Sequence, residues 1–158
     1  MTMNLKMQDA PIRILLADDD SDDRLFFAKA LKGIAMNTQL TTVADGEQLM
    51  QYLHEQSANL PDILFLDLSM PRKTGFECLI EINENAQLKE IPLVVFTTSF
   101  GRDINFEQGL INTLTHFGAR QYVRKPADIA LLQTIIHKAL IAMTVKKAGN
   151  NLEPADTI

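Results

Sequence analysis

The 158-residue sequence predicts an α/β fold: a doubly wound, five-stranded parallel sheet. Three observations carry that expectation. Short apolar runs alternate with helix-period segments along nearly the whole chain, which is the pattern of βαβ units with right-handed crossovers. The strongest run, Ile63-Leu64-Phe65-Leu66, is apolar at every position rather than at every second one, as a strand buried on both faces must be. Finally, several runs end abruptly in polar or charged residues, which puts those residues at the carboxyl rim of the sheet, where open α/β folds bind their ligands.

In chain order, a polar start (1–11, expected to be flexible) leads into a first strand at Ile12–Ala17, followed by Asp18-Asp19-Asp20. Ser21 is expected to cap a helix that runs to about Lys32 and buries Leu25, Ala28 and Leu31, with Gly33 as its stop. Asp22 and Asp23 fall in its first turn, where the helix dipole favours negative charge. Gln39–Val43 is a threonine-rich second strand, Asp45-Gly46 a turn, and Leu49, Tyr52 and Leu53 the apolar stripe of a second helix. The Ile63–Leu66 strand is stopped by Pro71 and followed by a loop to Gly75. A third helix carries Phe76, Leu79, Ile80 and Ile82. Leu93–Phe96 is the fourth strand. A helix over about Asp103–Phe117, with Gly118 as its end signal, precedes a fifth strand at Arg120–Val123. The last helix, from about Asp128 to Lys147, has the stripe Leu132, Ile135, Ile136, Ala139, Leu140 and Met143. The domain is thus expected over 12–147, with 148–158 a disordered tail.

Composition narrows the function. Hydrophobic residues at 46% and charged residues at 22% are ordinary for one globular domain. A formal net charge of -5 argues against nucleic-acid binding, which needs a basic footprint. A single cysteine, Cys78, excludes an internal disulfide or a cysteine metal cluster, and its mid-helix place suits a small core residue. His54, His116 and His137 share no metal-ligand spacing. Neither a secretory leader nor a membrane span is visible, so the expected location is cytoplasmic, with no membrane partner.

The strand ends carry the chemistry. Asp18 and Asp19 follow strand one, Asp67 follows strand three, Thr97 closes strand four and Lys125 follows strand five. In a parallel sheet all of them meet at one rim. Clustered carboxylates repel one another, and a hard divalent cation relieves this; Mg²⁺ takes one or two carboxylates, a carbonyl and waters. The carbonyl would come from Ser69. A carboxylate beside Mg²⁺ can act as a nucleophile toward a phosphoryl group, whose oxygens Lys125 and Thr97 could then neutralise.

These residues resemble the receiver domains of two-component response regulators, the family of the chemotaxis protein CheY. The matching pieces are Asp18-Asp19, Asp67-Leu68-Ser69-Met70-Pro71, Gly75, Thr97, Tyr122 and Lys125-Pro126, and the likeness covers Ile12 to about Met143. It implies the strand order 2-1-3-4-5, for which CheY is the standard instance. It also implies that Asp67 is the phosphoacceptor, that Asp19 and Asp67 bind Mg²⁺ directly, and that Asp18 helps through water. Thr97 and Lys125 would bind the phosphoryl group, with Tyr122 as an aromatic switch. The implied protein is not an enzyme in the ordinary sense; it catalyses only its own phosphorylation and dephosphorylation. A histidine kinase or phosphotransfer protein would donate to it. Its output would be contact with a downstream protein or a homodimer through the face of the fourth helix, fifth strand and fifth helix.

Departures from the family are a Thr97–Lys125 segment several residues longer than usual, Ala127 in place of a bulky residue, and Ser99 and Met70 at positions that tune phosphoryl lifetime. Competing readings are a pseudo-receiver that binds proteins without phosphorylation, an aspartate-nucleophile phosphatase and a flavin carrier. The phosphatase would need an aspartate where Ser69 stands, and the flavin carrier a phosphate loop after strand one.

Overall fold

A computed structural model describes residues 10–98 and 104–148. In chain order its elements are β1 (Ile12–Ala17), α1 (Ser21–Lys32), β2 (Thr38–Val43), α2 (Gly46–Glu55), β3 (Ile63–Leu66), α3 (Gly75–Asn83), a 3-10 turn (Leu88–Glu90), β4 (Leu93–Thr97), α4 (Ile104–His116), β5 (Gln121–Arg124) and α5 (Ile129–Ala148). The strands form one parallel sheet in the order β2-β1-β3-β4-β5. Ala148, expected in the tail, belongs to α5; residues 1–9 and 149–158, with Ser99 and Gly101, lie outside the described residues.

Strand alternation splits the core into two layers. Leu15 and Ala17 of β1, Leu64 and Leu66 of β3 and Leu93 and Val95 of β4 pack with α2, α3 and Leu114 of α4. Their neighbours Ile14, Leu16, Ile63, Phe65, Val94 and Phe96 face the other way, against α1 and α5. The central strand β3 is therefore apolar at every position, because both of its faces are covered. Each fully buried large side chain contributes roughly 1.5–3 kcal/mol relative to exposure.

The first helix is rotated from its expected phase. Its buried residues are Phe27, Ala30 and Leu31, whereas Leu25 is 57% exposed and Ala28 only half-buried. Phe27 sets the phase. Its ring meets Phe65 edge-on at 5.0 Å and Phe96 at 5.7 Å, and a leucine at that point would fill less of the space. The cap also differs. Asp20 rather than Ser21 is the N-cap, accepting from the N–H groups of Asp22 (2.8 Å) and Asp23 (3.2 Å). Ser21 is already the first helical residue.

Two glycines stand where a side chain could not. Gly118 ends α4 with φ +103°, the left-handed conformation expected of a helix stop. Gly75 begins α3 directly over the end of β3, donating its N–H to the carbonyl of Leu68 at 3.0 Å. A Cβ there would come within 2.7 Å of the Leu68 Cα and closer still to the Asp67 carbonyl. The helix is held in this approach by a capping box: Thr74 Oγ1 accepts from Glu77 N–H (3.1 Å), and the Glu77 carboxylate accepts from Thr74 N–H (2.8 Å).

Gly75→Ala tests the approach. On helix propensity alone it would stabilise α3. The clash with the Asp67–Leu68 backbone is expected to win, lowering stability in urea unfolding by about 1–3 kcal/mol. A neutral or stabilising result would mean that the start of α3 is free to move.

Candidate functional site

The sheet order places the chemically active ends side by side. β1, β3, β4 and β5 are consecutive neighbours, and Asp18, Asp67, Thr97 and Lys125 lie at or just past their carboxyl ends. The backbone links them as well: Asp67 N–H donates to Ala17 C=O at 3.0 Å, and Lys125 N–H to Thr97 C=O at 2.8 Å. Asp18, Asp67 and Thr97 are buried and Asp19 is exposed.

Both oxygens of Asp67 are engaged. Oδ1 accepts from the Thr97 hydroxyl at 3.0 Å and from the Ser69 N–H at 3.2 Å. Oδ2 accepts from Lys125 Nζ at 3.2 Å. The lysine has further carboxylates in reach, with its Nζ 2.7 Å from Asp18 Oδ2 and 2.9 Å from Asp23 Oδ2. Its Nζ lies over the Phe96 ring, 5.8 Å from the centroid, and the side chain is 10% exposed. Burial works against the charged ammonium. Hydrogen bonding to Asp18 and Asp23 outweighs that cost and holds the Lys125 pKa above its ordinary value.

The acidic triplet resolves into different jobs. Asp20 caps α1. Asp18 accepts from Asp20 N–H through Oδ1 at 3.0 Å, and Arg24 Nη1 of α1 donates to the Asp18 carbonyl at 2.7 Å. Burial pushes the Asp18 carboxyl up to about 6, against the opposing pull of Lys125 and the Asp20 N–H.

One ammonium cannot balance these carboxylates, and a cation fits the remainder. Oxygens of Asp18, Asp19 and Asp67 lie within 4.8 Å of one another. Asp18 Oδ2 is buried and, apart from its ion pair with Lys125, takes no hydrogen bond. Carboxylate oxygens are hard donors suited to Mg²⁺ or Mn²⁺. A hollow of about 490 Å³ opens nearby between Ser69–Thr74 and Phe106 and Leu110 of α4, but its lining is largely apolar and suits neither a cation nor a phosphoryl group.

The sequence profile of the response regulator receiver domain matches residues 14–137, and so contains every residue of this rim. The chain belongs to that family. Among relatives, this receiver domain is 37% identical over 97 residues to Response regulator Rcp1 of Synechocystis sp., covering 59% of this chain and 66% of the relative. It is 31% identical over 148 residues to Two-component response regulator ARR15 of Arabidopsis thaliana, covering 86% and 68%. The match to Rcp1 thus spans just under two thirds of that protein's length. Among solved structures, it superposes on the phosphorylated cyanobacterial phytochrome response regulator RcpA with a TM-score of 0.68 at 28% identity, covering 92% of this chain and 100% of that one. The Mn(2+)-bound form of Rcp1 gives a TM-score of 0.68 at 26% identity, with the same coverage.

The expected residues do not all meet. Asp18, Asp19, Asp67, Thr97 and Lys125 converge, and of Ser69 it is the N–H that reaches Asp67, whereas the Tyr122 hydroxyl points to α4 and donates to Glu107 Oε2 at 3.2 Å. Arg124 reaches the same carboxylate, its Nε 2.6 Å from Oε2. Cys78 is buried in the receiver core, with its thiol pushed up to about 12 by burial, so it remains an inert core residue. Sequence reasoning missed Asp23 and Arg24. The available signal was their place in the first turns of α1, because helix side chains lean toward the N-terminus and hence toward the rim.

The raised Asp18 pKa has a definite sign. The folded receiver holds this proton more tightly than the unfolded chain, so the contribution to stability is present at low pH and lost as pH rises from 3.8 through about 6. The loss amounts to about 3 kcal/mol. In metal-free buffer the stability of Asp18→Asn relative to wild type should therefore climb across that window. A difference independent of pH would contradict the shift.

Proposed function

We propose that the protein is a phosphorylation switch in which Asp67 accepts a phosphoryl group from a phosphohistidine on a histidine kinase or phosphotransfer protein. The observation that carries this reading is the Asp67 carboxylate itself, buried at the rim with a hydroxyl on one oxygen and an ammonium on the other. An Asp67 oxygen forms the new O–P bond as the N–P bond of the donor breaks, and the imidazole nitrogen leaves with the bonding pair. Lys125 and Thr97 then turn from Asp67 to the phosphoryl oxygens, which carry the charge that develops. Mg²⁺, held by Asp19, Asp67 and the Ser69 carbonyl with Asp18 behind a water, would supply further neutralisation at those oxygens.

In the competing pseudo-receiver reading the ammonium aimed at Asp67 only balances buried carboxylates. In the proposed switch Thr97 moves toward the phosphoryl group and Tyr122 turns inward behind it. The Glu107 carboxylate, which engages both Tyr122 and Arg124, holds the outward state. Output then passes through the face of α4, β5 and α5 to a downstream protein or to a second copy. Exposed apolar side chains on these helices support a contact surface there, among them Ile104 (82% exposed), Leu131 (50%) and Val145 (48%). The reading assigns the protein to the cytoplasm, and among the described residues no helix is long and apolar enough to cross a membrane.

Acetyl phosphate with Mg²⁺ should add one phosphoryl group to the wild-type protein by intact mass and none to Asp67→Asn. Equal gain by both would place the acceptor elsewhere, and no gain by either would favour the pseudo-receiver.

A further inference from the structure

We propose that Asp23 is a positioning residue of the phosphorylation site, a carboxylate on α1 that keeps the Lys125 ammonium at the rim while Asp18 and Asp67 turn to other partners. The inference rests on the reading of Asp67 as phosphoacceptor, and it begins from the partners of one nitrogen. Lys125 Nζ lies 2.7 Å from Asp18, 2.9 Å from Asp23 and 3.2 Å from Asp67. An ammonium has three N–H donors, so these carboxylates saturate it. Two of the three, Asp18 and Asp67, belong with Asp19 to the cluster whose oxygens could hold a cation. Asp23 lies outside that cluster. When a cation and a phosphoryl group arrive, it is the lysine partner among the three that neither one claims.

Lysine needs such an anchor more than arginine would. Its charge is a compact point on a flexible four-carbon stem, whereas the planar fork of arginine is pre-organised. The anchor is itself fixed. Asp23 sits in the first turn of α1, and its own N–H is held by the Asp20 cap. One residue on, Arg24 ties the helix to the Asp18 carbonyl. The lysine Nζ lies over the ring of Phe96, which packs against Phe27 of the same helix. Asp23 therefore links the position of α1 to that of the charge facing Asp67, with its side chain 37% exposed where a donor protein would approach.

The test uses the full-length protein, acetyl phosphate and Mg²⁺, and follows phosphorylation of Asp67 by intact mass over time. Asp23→Ala should show a maximal rate about tenfold below wild type, with the half-saturating concentrations of acetyl phosphate and Mg²⁺ little changed. Asp23→Glu should recover most of the rate. The ¹⁵N shift of the Lys125 side-chain nitrogen, compared in the folded proteins, should move in Asp23→Ala and return toward wild type in Asp23→Glu. A wild-type rate in Asp23→Ala would overturn the inference. So would a slow variant that glutamate does not restore, or a loss confined to Mg²⁺ half-saturation. A wild-type protein that gains no phosphoryl group would instead overturn the reading of Asp67 on which the inference rests.

Discussion

A single ammonium set among carboxylates is the constraint on which the rest of the site depends. Lys125 reaches across from the end of β5 to side chains that follow β1 and β3 and to one in α1. Its charge lets Asp67 and Asp18 be buried at all, since an unpaired buried carboxylate would be protonated. Yet one positive charge leaves the cluster negative, and burial raises the Asp18 pKa to about 6 despite the lysine. The site is therefore in electrostatic deficit. A divalent cation or a proton can fill that deficit.

The fold supplies this arrangement through the order of its strands. Because β1 and β3 are neighbours at the centre of the sheet, the residues that follow them leave the core side by side. The same order puts the Thr97 hydroxyl on one side of Asp67 and brings Lys125 in behind it. Helices covering both faces keep water from the strands beneath, so the rim is polar on a dry base. Gly75 brings α3 down onto the β3 end, and the Thr74–Glu77 box holds it there. Opposite, the Asp20 cap and Arg24 fix the start of α1. The rim is thus framed by two helix N-termini whose first residues are set by specific hydrogen bonds.

Much of this was legible in the amino-acid sequence, for identifiable reasons. A short continuous apolar run bounded by turn signals, such as Ile63–Leu66, reads as a strand covered on both faces, and a parallel sheet then brings Asp18, Asp67, Thr97 and Lys125 to one edge. Rotational phase was not legible. The spacing of Leu25, Ala28 and Leu31 is as helical as that of Phe27, Ala30 and Leu31, and only the place waiting between Phe65 and Phe96 selects the second set. The cap went to Asp20 rather than Ser21 because the division of labour among three adjacent aspartates depends on where β1 stops. Asp23 was read as dipole compensation, since nothing local shows that a lysine 102 residues away will arrive beside it. Tyr122 was correctly placed on β5, but its partner Glu107 lies on α4, in a segment whose limits the sequence marked poorly.

As proposed, the negative rim would hold a divalent cation through Asp19 and Asp67. Calorimetric titration of Mg²⁺ into the metal-free protein near neutral pH tests it most directly, run in parallel on wild type, Asp19→Asn and Asp67→Asn. The account predicts saturable one-to-one binding to wild type, weakened at least about tenfold in each variant. Wild-type protein that binds no Mg²⁺, or variants that bind it as tightly as wild type, would contradict the account.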